Sequence, residues 1–248
     1  MSNRQLEICC GDIESVMAAV SAGADRIELC SALEAGGITP SYGLIKKAIS
    51  LRKATRVHVL IRPREGDFVY SPKEVDIMVA DIAAARECGA QGVVIGALLP
   101  DGSIDMQACR RMMEAAEGMS VTFHRAFDMC AHWRKSLEDI IALGCDRILT
   151  SGQASSAVGG IAVLKELRQL AGKRIIITGA SGVNPQNAMT LLEQAGLDEL
   201  HASAREKIGS SMTYRNEGVA MGADGADEYS RKVTSQQIVS QLMEIIHK

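Results

Sequence analysis

Eight short runs rich in Val, Ile and Leu recur along this chain, at residues 6–9, 26–30, 57–62, 92–96, 121–125, 147–151, 174–179 and 199–203. Each has the length of one buried strand. Between them lie segments whose apolar residues return every three to four positions, as in Val75, Met78, Val79 and Ile82, or Ile161, Val163, Leu164 and Leu167. That spacing makes a helix with one buried face. Strand and helix therefore alternate, which calls for parallel strands joined by right-handed crossovers. Eight such units in 248 residues fit a closed (β/α)8 TIM barrel of the α/β class better than an open sheet. A doubly wound sheet is the rival, but the first strand runs into Cys10-Gly11-Asp12-Ile13 without the Gly-x-Gly-x-x-Gly of a dinucleotide site.

A second periodic signal supports the repeat. Gly23, Gly89, Gly144 and Gly196 each stand shortly before a strand, where glycine tolerates the left-handed conformation that ends a helix. No Pro/Ser-rich or single-charge stretch offers a linker, so residues 1–248 are expected to form one domain. A long segment of weak periodicity, 204–234, separates the last strand from a final amphipathic helix, and is expected to cover the barrel mouth or to form a subunit interface in a homo-oligomer.

Composition removes several classes of function. A formal charge of −3, a pI near 6.0 and 3% aromatic residues argue against nucleic acid as a partner. The opening Ser2-Asn3-Arg4-Gln5-Leu6-Glu7 lacks the apolar stretch of a secretory signal, and nowhere do 18 consecutive apolar residues occur. A soluble cytoplasmic protein with no membrane partner is expected. Seven scattered cysteines without a Cys-x-x-Cys pair fit reduced thiols, not a disulfide framework or zinc knuckle.

In a barrel of this kind, function sits at the carboxyl ends of the strands. The fifth ends in Val121-Thr-Phe-His-Arg-Ala-Phe-Asp-Met129, with His124, Arg125 and Asp128 within five residues. Ionisable groups there are costly to desolvate without partners, so they mark a site or a strand-end salt bridge. The first two strands share a Glu-x-Cys phrase, Glu7-Ile8-Cys9 and Glu28-Leu29-Cys30. Side chains alternate at period two, so each Glu and Cys share a face, and neighbouring strands ~4.8 Å apart bring the two thiols within reach of one metal ion or of a disulfide. Soft thiolates favour Cu(I), which makes Cys9 and Cys30, with Cys10 as a further candidate, metal ligands to consider; inert burial is the alternative. Glu7 and Glu28 need positive partners if buried, for which Arg62 and Arg125 are available. An ion-pair ring that serves only the fold is the other reading.

The remaining strand ends suggest an anion. The loop after the third strand carries Arg62, Arg64 and Asp67, and the guanidinium forks of the two arginines suit a carboxylate or phosphate, with a surface salt bridge as the other reading of Arg64. Ser151 ends the sixth strand, Gly179 opens the small-residue loop after the seventh, and His201 and Ser203 share a face on the eighth; barrels often hold phosphate at loops seven and eight. Asn184-Pro185 is expected to cap and start the helix that follows. An enzyme acting on a small anionic metabolite would bind it through Arg62, Arg64, Arg125, Ser151, Gly179, His201 and Ser203, with Glu7, Glu28, His124 or Asp128 as proton-transfer candidates. No lysine stands at any of the eight strand ends, which argues against a Schiff-base aldolase. The sequence assigns no specific reaction.

Taken together, Glu7-Ile-Cys9, Ala24-Asp-Arg-Ile-Glu-Leu-Cys30, Gly36-Gly-Ile-Thr-Pro-Ser41, Ile61-Arg-Pro-Arg64, Gly66-Asp-Phe68, Val121–Met129, Leu149-Thr-Ser-Gly152 and Asp227-Glu-Tyr-Ser230 closely resemble the CutC family of copper homeostasis proteins over nearly the whole chain. The resemblance implies a TIM barrel, a cytoplasmic location and Cu(I) binding, with the family's proposed copper cysteines at Cys9 and Cys30. Two departures fall in mouth loops: Ala35, beside Glu34, stands where the family usually has Glu, and Glu65 replaces a usual Gly.

Overall fold

In a computed structural model that describes residues 4–216, 218–219, 221 and 227–248, eight parallel strands close into a barrel in sequence order, each hydrogen-bonded to the next and the eighth to the first. The strands are β1 (Gln5–Cys10), β2 (Arg26–Leu29), β3 (Arg56–Leu60), β4 (Gly92–Ile95), β5 (Ser120–Phe123), β6 (Arg147–Thr150), β7 (Ile176–Gly179) and β8 (Glu199–Ala202). The helices are α1 (Ile13–Ser21), α2 (Tyr42–Leu51), α3 (Pro72–Glu87), α4 (Met106–Ala115), α5 (Trp133–Leu143), α6 (Ile161–Ala171), α7 (Ala188–Gln194) and α8 (Gln236–Ile246). The (β/α)8 barrel expected from the alternation is the observed fold.

Local chemistry sets the helix ends. The Ser71 hydroxyl accepts from Glu74 N–H while the Glu74 carboxylate accepts from Ser71 N–H, and Pro72 pre-sets the first turn, so α3 begins with a full capping box. Asp12 and Ser41 cap α1 and α2 through single acceptors. Gly23, Gly89, Gly144 and Gly196 all have positive φ, which turns the chain back toward the next strand. The helix after β7 departs from expectation: Asn184 accepts from the N–H groups of Gln186 and Asn187 in a separate turn, and α7 starts only at Ala188.

Period-two alternation divides the buried residues into two regions. Leu6, Ile8, Ile27, Leu29, Val57, Val59, Val93, Ile95, Ile148 and Leu200 face outward and pack under the helices as one large core. The alternate residues face into the barrel, where Cys9, Cys30, Leu60 and Val94 form a small apolar layer below the mouth. Beneath that layer the interior is polar. Arg26 is fully buried and bonds to Glu7 and, at 2.5 Å, to Glu199; Arg147 reaches Glu199 at 3.0 Å; Gln5 accepts from Arg26 and Arg56. The buried ion-pair ring exists, but its cations are Arg26 and Arg147, not Arg62 and Arg125.

The segment after β8 is not one long loop. Residues Arg205–Gly209 (β9) and Ser230–Thr234 (β10) pair as an antiparallel ribbon, which is tied to the barrel by Arg205–Glu34, Arg231–Asp12 and Arg231–Glu14 ion pairs. Thr and β-branched residues in 230–234 gave a weak strand signal that the flanking polar residues obscured. Residues 222–226, within the same segment, lie outside the described residues, as do Ser2 and Asn3 of the opening segment. Among the described residues no helix is long and apolar enough to cross a membrane.

Candidate functional site

A cavity of about 230 Å³ opens at the carboxyl ends of the strands. Cys9, Glu28, Leu60, Arg62, His124, Arg125, His201 and Ser203 line it, together with residues 180–183 of the loop after β7. Strand ends that are far apart in sequence thus meet at one rim.

The floor holds a chain of polar contacts. On β8, His201 lies opposite Glu7 of β1, and its Nδ1 is 2.7 Å from Glu7 Oε1. That bond leaves Nε2 facing the other way, 3.8 Å from Glu28 Oε2. Cys9 Sγ lies 3.3 Å from the same Glu28 oxygen and 3.6 Å from Cys30 Sγ. One ligand atom each from Cys9, Glu28 and His201 lies within 4.8 Å of the others. The strand register differs from the simplest expectation. Cys9 sits opposite Glu28, so Cys30 lies one inward step higher and the sulfurs approach diagonally; among the described residues all seven cysteines are free thiols.

Electrostatics follows from this geometry. Burial alone would raise the Glu7 carboxyl, but the Arg26 charge and the His201 hydrogen bond outweigh it and hold Glu7 well below the usual carboxylate range. Burial opposes charge on His201, yet its contacts with Cys9 and Glu7 and the nearby carboxylates lift it well above an ordinary histidine. Glu28 is pushed up by burial, against the pull of His201. The contact with Cys30, and then burial, raise the Cys9 thiol well above its ordinary value. Glu7 and His201 are therefore a buried ion pair, with Glu28, Cys9 and Cys30 above it.

The other expected residues divide into two groups. Arg62 and His124 line the cavity. Arg62 donates to the carbonyls of Ala35, Gly37 and Gly66, so it braces two loops and does not pair with Glu7 or Glu28. His124 has left the strand: it caps a short 3-10 helix (Arg125–Met129), and its Nδ1 accepts from Ala126 N–H at 3.1 Å. Burial, reinforced by the Arg62 charge, lowers the His124 pKa to about 3. The proposed His124–Arg125–Asp128 cluster reduces to an Arg125–Asp128 pair at 2.8 Å.

Asp128, Ser151, Gly179 and Arg64 do not line the cavity. Asp128 accepts from Thr150, from the N–H groups of Ser151 and Gln153 and from the Ser151 hydroxyl, which ties the 3-10 helix to the end of β6. Arg64 is engaged on the surface by Glu74 and Asp67. Gly179 approaches Leu197 and Leu200 closely, and the residues after it reach the cavity instead. Arg26, Arg147 and Glu199 open their strands, and inward alternation counted back from Glu28 and His201 reaches only the first and the last of them.

With this geometry in place, comparison with known proteins is informative. A family model described as the CutC family matches residues 4–206. A CutC family protein of Bacteroides thetaiotaomicron is 49% identical over 247 residues, covering 99% of either chain, and one from Chromobacterium violaceum is 47% identical over 98% of either chain. A crystal structure from Streptococcus agalactiae, provisionally named copper homeostasis protein CutC, superposes with a TM-score of 0.78 at 34% identity, covering 81% of this chain and 98% of that one. A thiamine phosphate pyrophosphorylase of Pyrococcus furiosus, at 16% identity, TM-score 0.60 and 99% and 96% coverage, shares the fold alone. The chain belongs to the CutC family.

Proposed function

We infer that this protein is a CutC-type copper homeostasis protein that binds Cu(I) at the floor of its barrel. The observation that carries this reading is the 3.6 Å approach of Cys9 and Cys30 beside a histidine whose other nitrogen is held by a carboxylate. Two thiolates and an imidazole form a soft donor set that suits Cu(I) and suits hard cations poorly. The Glu7 contact is the kind of outer-shell bond that orients a ligating histidine and increases its basicity. Cys9, Cys30 and His201 Nε2 would hold the ion. Glu28 is the harder donor and would stay outside the coordination set, and binding would release to solvent the protons of both thiols and of His201 Nε2.

Free cysteines support a reducing, cytoplasmic setting. The exposed Met212, Tyr214, Val219 and Met221 beyond β9 support self-association through that region. Residues 1–248 fold on this reading as a single domain. Titration of the reduced protein with Cu(I) tests it: one ion bound per chain is expected, with loss in Cys9→Ser and Cys30→Ser. Equal binding by the double variant would exclude these ligands.

A second reading, an enzyme for a small anionic metabolite, is favoured by one observation. The cavity extends well past the Cys9 thiol, to Arg62, His124 and the loop after β7, which is more room than an ion needs.

A further inference from the structure

Arg62 and His124 share an unusual condition. Arg62 is 6% exposed, and its Nη atoms bond only to backbone carbonyls. Among the described residues it ion-pairs with no carboxylate, unlike the buried Arg26 and Arg147, which share Glu7 and Glu199. Its Nε makes no hydrogen bond, although the buried Tyr70 hydroxyl stands close enough to interact with the guanidinium. A guanidinium cannot give up its proton, so burial leaves one uncompensated positive charge in the cavity wall.

The protonation of His124 is fixed by its neighbours. Because Ala126 N–H donates to Nδ1, that nitrogen carries no hydrogen, and the neutral ring must carry its proton on Nε2. Nε2 also has no partner, although the side chain is only 4% exposed. Gly96 packs against the Nδ1–Cε1 edge, where a Cβ would come within 2.6 Å, so the imidazole occupies the space that the glycine leaves. On its other side stands Phe68, 5.0 Å from the imidazole and 5.0 Å from the Arg62 guanidinium, and all three residues line the cavity. Two buried N–H donors, one of them cationic, thus stand beside one aromatic ring, and that of His124 has no acceptor.

Across the barrel, the loop after β7 presents a second set of donors. Ser181 and Gly182 both have left-handed φ, of 78° and 74°, and the N–H groups of Ser181, Gly182 and Val183 have no acceptor among the described residues. Successive free amides in a turn offer hydrogen-bond donors to an anion.

We propose that His124 Nε2–H and the Arg62 charge form an oxyanion subsite, which together with the amides of residues 181–183 takes a small organic anion such as a carboxylate or a phosphate ester. It deepens the metabolite reading and does not depend on copper. It also reassigns His124: a neutral imidazole with its free nitrogen protonated is a hydrogen-bond donor to ligand oxygen and not a general base.

The test uses the reduced full-length protein in the presence of a Cu(I) chelator, with pyruvate, inorganic phosphate and phosphoglycolate as probes. Histidine ring ¹⁵N–¹H NMR reads the Nε2–H tautomer of His124 and its response to each probe, and calorimetry reads affinity. The expected result is a downfield shift of the His124 Nε2 proton with at least one probe. Affinity for that probe should fall about tenfold in His124→Phe and recover in His124→Gln, which restores a donor. Pyruvate and phosphate separate a carboxylate from a phosphate source, and tighter binding of phosphoglycolate than of either marks use of both walls. A His124 signal unmoved by all three probes overturns the proposal, as does an Nδ1–H tautomer or binding unaltered in His124→Phe. Cu(I) titration without chelator is read separately, so failure of the copper site and failure of the anion site are distinct results.

Discussion

Nδ1 of His201 and Oε1 of Glu7 lie 2.7 Å apart across the seam where β8 pairs with β1 to close the barrel. The same carboxylate holds Arg26, so one side chain neutralises a cation below it and orients an imidazole above it. Replacing Glu7 by Gln leaves the fully buried Arg26 with Glu199 alone and removes the counter-charge of His201. Breaking a buried pair from one side costs ~3–5 kcal/mol, so Glu7→Gln should shift the urea midpoint well below that of the wild type. A midpoint unchanged within error would show that the ring contributes little.

Stability should pass through a maximum near pH 6.5. Burial, with the Arg26 charge adding to it, lowers His58 to about 3, as burial and Arg62 do for His124. A lowered histidine is neutral when folded and binds a proton when unfolded, so it costs stability as pH falls from its unfolded value near 6.5 toward 3. Each such group contributes up to ~1 kcal/mol per pH unit in that window. Glu28, raised by burial, opposes this by up to one proton above pH 4.5 or so, leaving a net loss on acidification. Above pH 6.5 the sign reverses, because the stabilising proton on His201 is lost as pH rises through its raised folded pKa. Urea unfolding between pH 5 and 8 measures the curve, and a monotonic rise to pH 8 would contradict it.

Two glycine substitutions should behave oppositely. A Cβ on Gly96 would lie 2.6 Å from the His124 ring and 3.2 Å from Phe123, so Gly96→Ala should destabilise by ~1–3 kcal/mol and weaken the anion subsite. Gly43 stands in α2 with open space around it, and Gly43→Ala should stabilise by ~0.5–1 kcal/mol through lower unfolded-state entropy. Thermal melts of the two variants check the pair.

The apolar residues beyond β9 give a prediction about assembly. Met212 and Tyr214 are 57% and 71% exposed, and polar replacement of both should lower the mass in solution to that of one chain while leaving far-UV circular dichroism unchanged. Light scattering that finds the same mass before and after would exclude this region as the interface.

The barrel was legible because period-two strands and 3.6-period helices alternate eight times and four glycines close the helices. The rim was legible too: Cys9, Glu28, Arg62, His124, Arg125, His201 and Ser203 all line one cavity. Pairings were not, because they depend on strand stagger. Cys9 faces Glu28 instead of Cys30, and Glu7 finds Arg26 and His201 instead of Arg62. Asp128 and Ser151 carry functional-looking chemistry, yet bond to each other to fix a turn. The β9–β10 ribbon stayed hidden because exposed strands of charged residues carry little apolar alternation.

The most direct test of the copper account is Cu(I) titration of the reduced protein against a competing chelator, followed by X-ray absorption at the copper edge. Wild type should bind one ion with two sulfur neighbours and one nitrogen, His201→Ala should lose the nitrogen and at least tenfold in affinity, and Cys9→Ser should lose tight binding altogether. A copper ion surrounded only by nitrogen and oxygen, or bound equally well without Cys9, would contradict the assignment.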